Sequence, residues 1–391
     1  MQWSATQAHI LTGGGRAEAL YTSERGFPFS SDQLPHHQLA AGTTREAFGR
    51  WRRGGGGSEG GGGAAAPAWL SGAWSRPLFC GGGSTSTDAD EACLNIVTPS
   101  LFVDIRIPTA RGAALASLGA NGAARLRLLA RQHGFGGFGR FSDDGAGGHA
   151  LSCTRHHAID WNFLGTPRPR PNRWGVARLD SGTQSDEWRE DSFATDETGA
   201  PYYYEVWRRL GAPKAAATHP LLAMRSLPET ASGRPAARDT IVVSCAGHFS
   251  YVSMAAGATA EAMRERARAL GEPSRAGAVD AAVAAGELEL ARWLVEEDVR
   301  AGHGAAGGEW RIRSALQPAD QAKGLAEVVL LATAGGSGQE ESLRVGWRAL
   351  LAAVDSGELK ASSGNPQRPR RVVGVGELRF EVFEAARAGD Y

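Results

Sequence analysis

The sequence Leu94-Asn95-Ile96-Val97-Thr98-Pro99-Ser100-Leu101-Phe102-Val103-Asp104-Ile105-Arg106-Ile107-Pro108 contains two β-segments joined by a corner at residues 98–100. In the second segment, aliphatic residues occupy the odd positions from 101 to 107, and Phe102, Asp104 and Arg106 lie between them. Alternation with a period of two, rich in β-branched residues, is typical of a strand with two different faces. The segment therefore predicts a strand that carries an acid and a base on one face.

Length and composition allow a large folded core and argue against several classes of protein. The 391 residues include 42 Lys+Arg and 42 Asp+Glu, so no charge excess indicates nucleic-acid binding or disorder. The 4 cysteines form no Cys-x-x-Cys motif, which argues against a disulfide framework and favours a reducing compartment. No stretch reaches the ~18 apolar residues of a membrane span, and the N-terminus lacks the pattern of a secretory signal. We expect a cytoplasmic protein that does not bind nucleic acid and has no membrane span.

The first part of the chain lacks the features of a folded domain. Residues 1–66 show no sustained hydrophobic period and contain glycine runs at 13–15, 54–57 and 60–63. Glycine loses much conformational entropy on ordering and has no side chain to bury, so such a chain is expected to remain a flexible coil. We predict a disordered arm at 1–66 and one β-domain at 67–391.

Further strand-like segments follow the opening stretch, with loops rich in Pro, Gly, Asp and Ser between them. Strands are predicted at 74–79, 150–161, 174–180, 202–210, 240–246, 249–254, 309–316, 325–333 and 372–384. Helices are predicted at 125–132, in an insertion at about 257–300, and at 341–356, and a glycine-aromatic turn is predicted at 133–139. About ten strands with few helices predict a mostly β fold, either an antiparallel barrel or a sandwich.

Several motifs occur in a fixed order along these segments. They are Trp74-x-Arg76, Thr-Pro-Ser-Leu-Phe-x-Asp-x-Arg-x-Pro at 98–108, Gly-Phe-Gly-Gly at 134–137, Cys-Thr-Arg-x-x-x-Ile-Asp at 153–160, Tyr-x-Glu-x-Trp at 203–207 and Trp-x-Ile-x-Ser-x-Leu-x-Pro at 310–318. The set resembles a lipocalin-like family typified by a fungal protein that binds a casein kinase, with many uncharacterised bacterial members. The resemblance covers roughly residues 70–335 and implies a lipocalin-like β-barrel. It implies no catalytic residues.

The densest cluster of potential metal ligands begins at Cys153. On a helix, Cys153, His156, His157 and Asp160 would share one face and could bind zinc. On a strand, Cys153, Arg155 and His157 face one side, and His156 and Asp160 face the other. At a rise of ~3.3 Å per residue, Cys153 and His157 would then lie about 13 Å apart, too far for one ion. The flanking residues favour a strand, so we expect no metal and no other cofactor.

Charged residues recur on the predicted strands. They are Asp104, Arg106, Arg155, Asp160, Glu205 and Arg209. Burying a lone charge costs several kcal/mol, so inward-facing charges must be paired. These residues are therefore either structural ion pairs or the polar floor of a ligand cavity, in which Arg106 or Arg155 would hold an anionic group bidentately. The candidate ligand-binding residues are Asp104, Arg106, Arg155, His157, Asp160, Tyr204 and Trp207.

These patterns support three functional hypotheses. The first is a non-enzymatic barrel that binds a small, partly apolar ligand, anionic if an arginine holds it, or that serves as an interaction scaffold for a protein partner. The second is a hydrolase or isomerase that uses Asp160 with His156 as an acid/base pair. The third, drawn from the resemblance alone, is a signalling adaptor that binds a protein kinase. The sequence favours binding over catalysis. A Gly-x-Ser-x-Gly match at 56–60 lies within the glycine runs of the predicted disordered arm, so it does not indicate a nucleophile held between a strand and a helix.

Overall fold

The computed structural model of the chain describes residues 65–81, 84–119, 121–143, 150–164, 172–179, 186–193, 203–211, 219–272, 274–306, 310–328, 340–356, 358–359, 371–375 and 378–386. The predicted disordered arm lies outside these residues except for its last two positions. Within the described ranges, antiparallel strands form two sheets.

The first sheet has nine strands and closes into a barrel. Its strands are β1 (Gly72–Gly81), β2 (Ser84–Thr87), β3 (Glu91–Val97), β4 (Leu101–Pro108), β5 (His133–Ser142), β6 (Leu151–Asp160), β7 (Asn172–Arg178), β8 (Glu187–Ser192) and β9 (Tyr203–Arg209). Strand β9 returns to pair with β1, so eight strands form the closed ring. Strand β2 pairs with the second half of β1 as an extra strand. Closure removes the free edges that an open sheet would present.

The second sheet has seven strands and is open. Its strands are β10 (Leu221–Ser226), β11 (Arg238–Cys245), β12 (His248–Ala255), β13 (Val299–Ala305), β14 (Ile312–Ala315), β15 (Arg371–Val375) and β16 (Leu378–Ala386). Their order is β14-β13-β12-β11-β10-β16-β15, so the last hairpin of the described chain lies beside β10. The prediction of a mostly β chain with an antiparallel barrel is confirmed, and this sheet accounts for the strands beyond the barrel.

Helices lie between strands of both sheets. They are α1 (Arg111–Ser117), α2 (Gly122–Ala130), α3 (Ala258–Arg268), α4 (Arg275–Ala284), α5 (Leu288–Trp293) and α6 (Glu340–Asp355). Helix α5 continues into a π-helical turn at Leu294–Asp298. Helices α3 to α5 occupy the predicted insertion between β12 and β13, and α6 matches the helix predicted at 341–356.

The alternation of β4 determines what packs against each of its faces. Leu101, Val103 and Ile105 are buried on the outer face, in an apolar core shared with Val252 of the second sheet. The residues between them point into the barrel. The opposite face of the second sheet is covered by α6 through Trp347 and other apolar residues. The strand therefore has a fully apolar outer face, although the sheet is antiparallel, because a second layer covers it.

Strand β5 begins where the sequence predicted a turn at 133–139, and that prediction is wrong. A Cβ atom on Gly134 would lie 2.8 Å from Leu316 Cδ1, and one on Gly136 would lie 2.6 Å from Val252 Cγ1. These glycines therefore allow the second sheet to approach the barrel closely. Glycine is therefore needed at these two positions for close packing between the layers, and not for a turn.

Two other predicted strands differ in the structure. Residues 325–328 form a helical turn, whereas the sequence predicted a strand at 325–333, of which the remainder lies outside the described residues. The predicted strand at 372–384 is a hairpin of β15 and β16. Apolar runs of this length do not distinguish a strand from a short helix or a hairpin by periodicity alone.

Buried polar contacts join the layers. Arg275 at the start of α4 donates to the carbonyl oxygens of Trp161 and Leu294, and its Nη2 lies 2.7 Å from Asp298 Oδ2. Thr98 at the corner before β4 donates to Glu384 Oε2 of β16 at 3.0 Å. The barrel, the inserted helices and the second sheet are thus held together by specific hydrogen bonds as well as by apolar packing.

Candidate functional site

The interior of the barrel carries charged and aromatic side chains from most of its strands. The inward-facing residues used below are Arg76, Glu91, Cys93, Asn95, Phe102, Asp104, Arg106, Phe135, Cys153, Arg155, His157, Asp160, Trp174, Trp188, Glu190, Tyr203, Glu205 and Trp207. Period-two alternation places them inside because the intervening residues form the outer face. The barrel is therefore apolar outside, against the second sheet, and strongly polar at its centre.

Arg106 is the centre of this interior. Its guanidinium donates to both carboxylate oxygens of Asp104 at 3.2 and 3.0 Å, and to both oxygens of Glu205 at 2.9 and 3.2 Å. Because β4 and β9 are not neighbours in the barrel, the contacts with Glu205 cross the interior. The planar guanidinium suits such paired contacts with carboxylates. The predicted pairing of Asp104 with Arg106 is confirmed.

Two more arginines extend the network on either side. Arg76 contacts Glu91 at 2.5 Å and Glu205 at 2.7 Å. Arg155 donates to Asn95 Oδ1 at 3.2 Å and lies 3.7 Å from Asp104. We call this chain the lumen network; its members are Glu91, Arg76, Glu205, Arg106, Asp104, Arg155 and Asn95. Its charged members are three arginines and three carboxylates, so each buried charge has an opposite charge beside it.

Aromatic rings cover the faces of two of the arginines. The guanidinium of Arg106 lies 5.6 Å from the ring centroids of both Phe135 and Trp207. Arg155 lies 4.2 Å from the centroid of Phe102 and 5.2 Å from that of Trp174. Such contacts stabilise a cation that has lost its water. The side chain of Arg106 retains 16% of its surface exposed, against 5% for Arg76 and Arg155, so Arg106 is the most accessible arginine of the network.

The two acids beside Arg106 and Arg155 differ in protonation. Burial raises the pKa of Asp104, but the positive charges of Arg106 and Arg155 outweigh burial and leave this pKa below its usual value. Burial and the charge of Glu205, its partner on the neighbouring strand, raise the pKa of Glu190 to about 8. At neutral pH Asp104 is therefore ionised, and Glu190 is mostly protonated and accepts a hydrogen bond from Tyr203 Oη at 3.0 Å.

A β-bulge changes the faces of the residues at the end of β6. The register with β5 shifts between Gly136 and Gly137, so Ala158 is an extra residue. His157 and Asp160 consequently face the same side, and His157 Nδ1 lies 2.6 Å from Asp160 Oδ2. His156 faces outward and stacks on Phe138, with centroids 4.6 Å apart. The predicted separation of His157 from Asp160 and the predicted His156–Asp160 acid/base pair are both wrong, because a bulge inverts the alternation.

Strand parity separates two other candidate residues. On β9, Tyr203, Glu205 and Trp207 point inward, and Tyr204 points outward, where its ring lies 4.8 Å from the guanidinium of Arg189. Tyr204 is therefore not part of the interior, contrary to its selection as a wall residue. Trp207 is fully buried there and stacks on Trp188, with centroids 5.7 Å apart.

Four buried donors in the interior lack an acceptor within the part of the chain that the structure describes. They are the indole Nε1 atoms of Trp174, Trp188 and Trp207 and the amide Nδ2 of Asn95, on side chains no more than 3% exposed. The neighbouring Trp74 differs, since its Nε1 donates to the carbonyl of Leu70 at 2.9 Å. Buried polar groups in native proteins are nearly always hydrogen-bonded. The interior thus offers several neutral donors that the described polypeptide does not satisfy.

The interior cysteines are not suited to nucleophilic chemistry. Burial raises the pKa of Cys153 to about 12 and that of Cys93 well above its ordinary value. A thiol that stays protonated is a weak nucleophile and a poor metal ligand. Across the described ranges, no group of three or more His, Cys, Asp or Glu residues is placed to hold a metal ion. None of the described helices is long and apolar enough to cross a membrane.

Sequence reasoning missed several residues of the interior. Glu91, Asn95, Trp188 and Glu190 were not selected, and Arg76 was noted only as part of a motif. The sequence feature that could identify them is the alternation along each strand, since each lies on the same face of its strand as a selected or aromatic residue. That signal becomes usable only when strand boundaries are known, and β8 was not predicted as a strand.

Comparison with known proteins gives limited information. No protein-family model and no curated protein matches the chain. Among solved structures, it is similar to the uncharacterized protein YLR301w from Saccharomyces cerevisiae, with 11% sequence identity and a TM-score of 0.40. The match covers 80% of this chain and 98% of the yeast chain. Similarity at this level supports no conclusion about function.

Proposed function

We propose that the barrel binds a small ligand that has an apolar body and hydrogen-bond acceptors, in the manner of a lipocalin-like barrel. The observation that supports this function is the set of four buried donors on Asn95, Trp174, Trp188 and Trp207 without an acceptor in the described chain. Leaving a buried donor unpaired costs about 1–3 kcal/mol. A ligand that supplies acceptors recovers this energy and gains affinity from it.

The aromatic side chains supply the apolar part of the proposed site. Trp188 stacks on Trp207 and meets Trp74 edge to face, with centroids 6.0 Å apart. Large indole surfaces contribute strongly to binding, and their N–H groups fix the orientation of a ligand. The lumen network forms the polar floor beside them. A barrel built only as a scaffold would not need four unpaired donors within its core.

The other hypotheses have less support. The bulge in β6 places His156 and Asp160 on opposite faces of the strand, so the acid/base pair of the enzyme hypothesis does not form. The interaction scaffold and the kinase-binding adaptor stay predictions of the sequence. All four cysteines are free, as a reducing compartment such as the cytoplasm would keep them, and we include that location in the proposal.

The test uses the neutral fluorescent ketone 6-propionyl-2-dimethylaminonaphthalene, whose carbonyl oxygen accepts hydrogen bonds. We expect saturable binding, energy transfer from tryptophan to the dye, and shifts of the indole ¹⁵N–¹H signals of Trp174, Trp188 and Trp207. The signal of Trp161 is an internal control, since its Nε1 already donates to the carbonyl of Ala130 at 3.2 Å.

A matched pair of variants locates the site. Trp207→Phe should weaken binding of the dye, whereas Trp347→Phe should not. Trp347 also has an indole N–H without an acceptor in the described chain, but it belongs to α6 and packs in the apolar core on the second sheet's face away from the barrel. Absence of saturable binding, or equal weakening by the two substitutions, would contradict a site in the barrel.

A further inference from the structure

We infer that the polar end of the ligand is an uncharged acceptor, such as a carbonyl, ether or hydroxyl oxygen, and that the barrel rejects carboxylates. This inference rests on the proposed function and names the class of ligand. It departs from the expectation that Arg106 or Arg155 holds an anion.

The arginines are engaged by the protein's own acids. Arg76 contacts two carboxylates, Glu91 and Glu205, and Arg106 makes two hydrogen bonds to each of Asp104 and Glu205. An anionic ligand would have to displace one of these carboxylates, which are no more than 5% exposed. Such an exchange replaces one buried ion pair with another, and it leaves the displaced carboxylate buried without its counter-charge.

Arg155 is the least saturated arginine, but its geometry does not suit an incoming anion. Its faces are covered by the rings of Phe102 and Trp174, and its edge is directed at Asn95 Oδ1 and at Asp104. Its charge also completes the balance of the network, in which three arginines accompany three carboxylates. Binding an anion at Arg155 would leave the lumen network and its ligand with a net negative charge.

The donors that remain are neutral. The three indole N–H groups and the amide of Asn95 carry no charge. Each indole can donate one hydrogen bond to a ligand oxygen, and the amide Nδ2 can donate two. Neutral donors discriminate well between a ligand that has an acceptor and one that lacks it. They do not repay the cost of taking a carboxylate out of water.

The protonation of Glu190 shows whether an additional negative charge is stable in the interior. The groups that act on it are Glu205 and Tyr203 on β9, Arg155 on β6 and Arg106 on β4, and Cys153 of β6 also interacts with it. In this environment the side chain keeps its proton at neutral pH, although two arginines lie within interaction range. A ligand carboxylate in the same space would meet the same burial and the same negative neighbour.

The test compares 2-acetylnaphthalene with 2-naphthoate, which share the ring and one carbonyl oxygen and differ by a methyl group in place of the charged oxygen. Titration calorimetry at about pH 7 should show the ketone binding at least about tenfold more tightly. The indole signals of Trp174, Trp188 and Trp207 should shift with the ketone. Raising the pH from about 7 to about 9 ionises Glu190 and should weaken naphthoate binding further in the wild type but not in Glu190→Gln.

The outcomes separate the two proposals. If naphthoate binds as tightly as the ketone or more tightly, with shifts of the three indole signals, the inference about charge is wrong and the barrel still binds a ligand. If neither compound shifts these signals, both the inference and the proposed function are wrong. A similar pH dependence of naphthoate binding in wild type and Glu190→Gln would show that the negative charge near Glu205 does not exclude anions.

Discussion

Arg106→Met removes the cation that lies between two buried carboxylates. Asp104 is fully buried, and its remaining cation, Arg155, lies 3.7 Å away. Glu205 keeps its contact with Arg76 at 2.7 Å, so Asp104 is the residue that loses its main counter-charge. Removing one partner of a buried ion pair costs about 3–5 kcal/mol, because the other charge stays desolvated. We expect a loss of that size in the free energy of unfolding at neutral pH.

The loss should depend on Asp104 and on pH. The double variant with Asp104→Leu should be more stable than the single variant Arg106→Met, because it no longer contains the buried carboxylate that lacks its counter-charge. In the wild type the pKa of Asp104 is below its ordinary value, so this residue stabilises the fold above that value and stops doing so as the pH falls. In Arg106→Met burial dominates and the pKa rises above its ordinary value. The deficit of the variant should therefore shrink as the pH falls toward about 4.

The assay is urea unfolding followed by circular dichroism, with the slope of the transition checked for each variant. The control is Arg208→Met, which breaks an exposed pair with Glu187 at 2.8 Å and should cost less than about 1 kcal/mol. The reasoning fails if Arg106→Met is no worse than this control. It also fails if the double variant loses as much as the two single variants combined.

Three further changes test other parts of the structure. Because the pKa of Glu190 is raised from 4.5 to about 8, the folded chain holds a proton that the unfolded chain releases, so stability falls as pH rises between these values. Glu190→Gln should flatten this fall and relieve about 2–5 kcal/mol near pH 8, whereas Glu187→Gln on the exposed face of β8 should leave the pH profile of unfolding unchanged. Gly137→Ala should lower the melting temperature and cost at least about 2 kcal/mol, because its Cβ would lie 1.9 Å from a carbonyl oxygen of β6; Gly112→Ala, whose Cβ meets no atom within 4 Å, should melt like wild type, and equal melting of the two would contradict the packing of β5. Arg275→Met should cost about 3 kcal/mol or more in urea unfolding, because two carbonyl groups and a buried carboxylate lose a donor; an unchanged midpoint would show that this arginine does not join the layers.

Much of the barrel could be predicted from alternation. The faces of β4 were assigned correctly, since Leu101 and Ile105 pack outward and Asp104 points inward. The second sheet was harder to recognise, because its packing partner is the barrel itself. The contact with that sheet leaves little room for a Cβ atom at Gly134 and Gly136, and nothing local in 133–139 indicates a neighbouring layer.

The candidate site was predicted in its centre and missed at its ends. Asp104, Arg106 and Arg155 do meet in the interior, because the period of two holds along β4 and the first part of β6. The pairing of His157 with Asp160 depends on one extra residue in β6. A bulge is a property of the register between two strands, so a single strand's sequence does not reveal it.

Strand β16 lies beside β10, although roughly 150 residues separate them in the chain. A ribosome therefore makes β10 to β14 long before it makes β16, the strand that pairs with the other edge of β10. During that interval β10 has a free edge. Unpaired edges and apolar surface attract other nascent chains, and long-range pairing forms slowly. We therefore expect chaperones to protect the free edge of β10 while the rest of the chain is made.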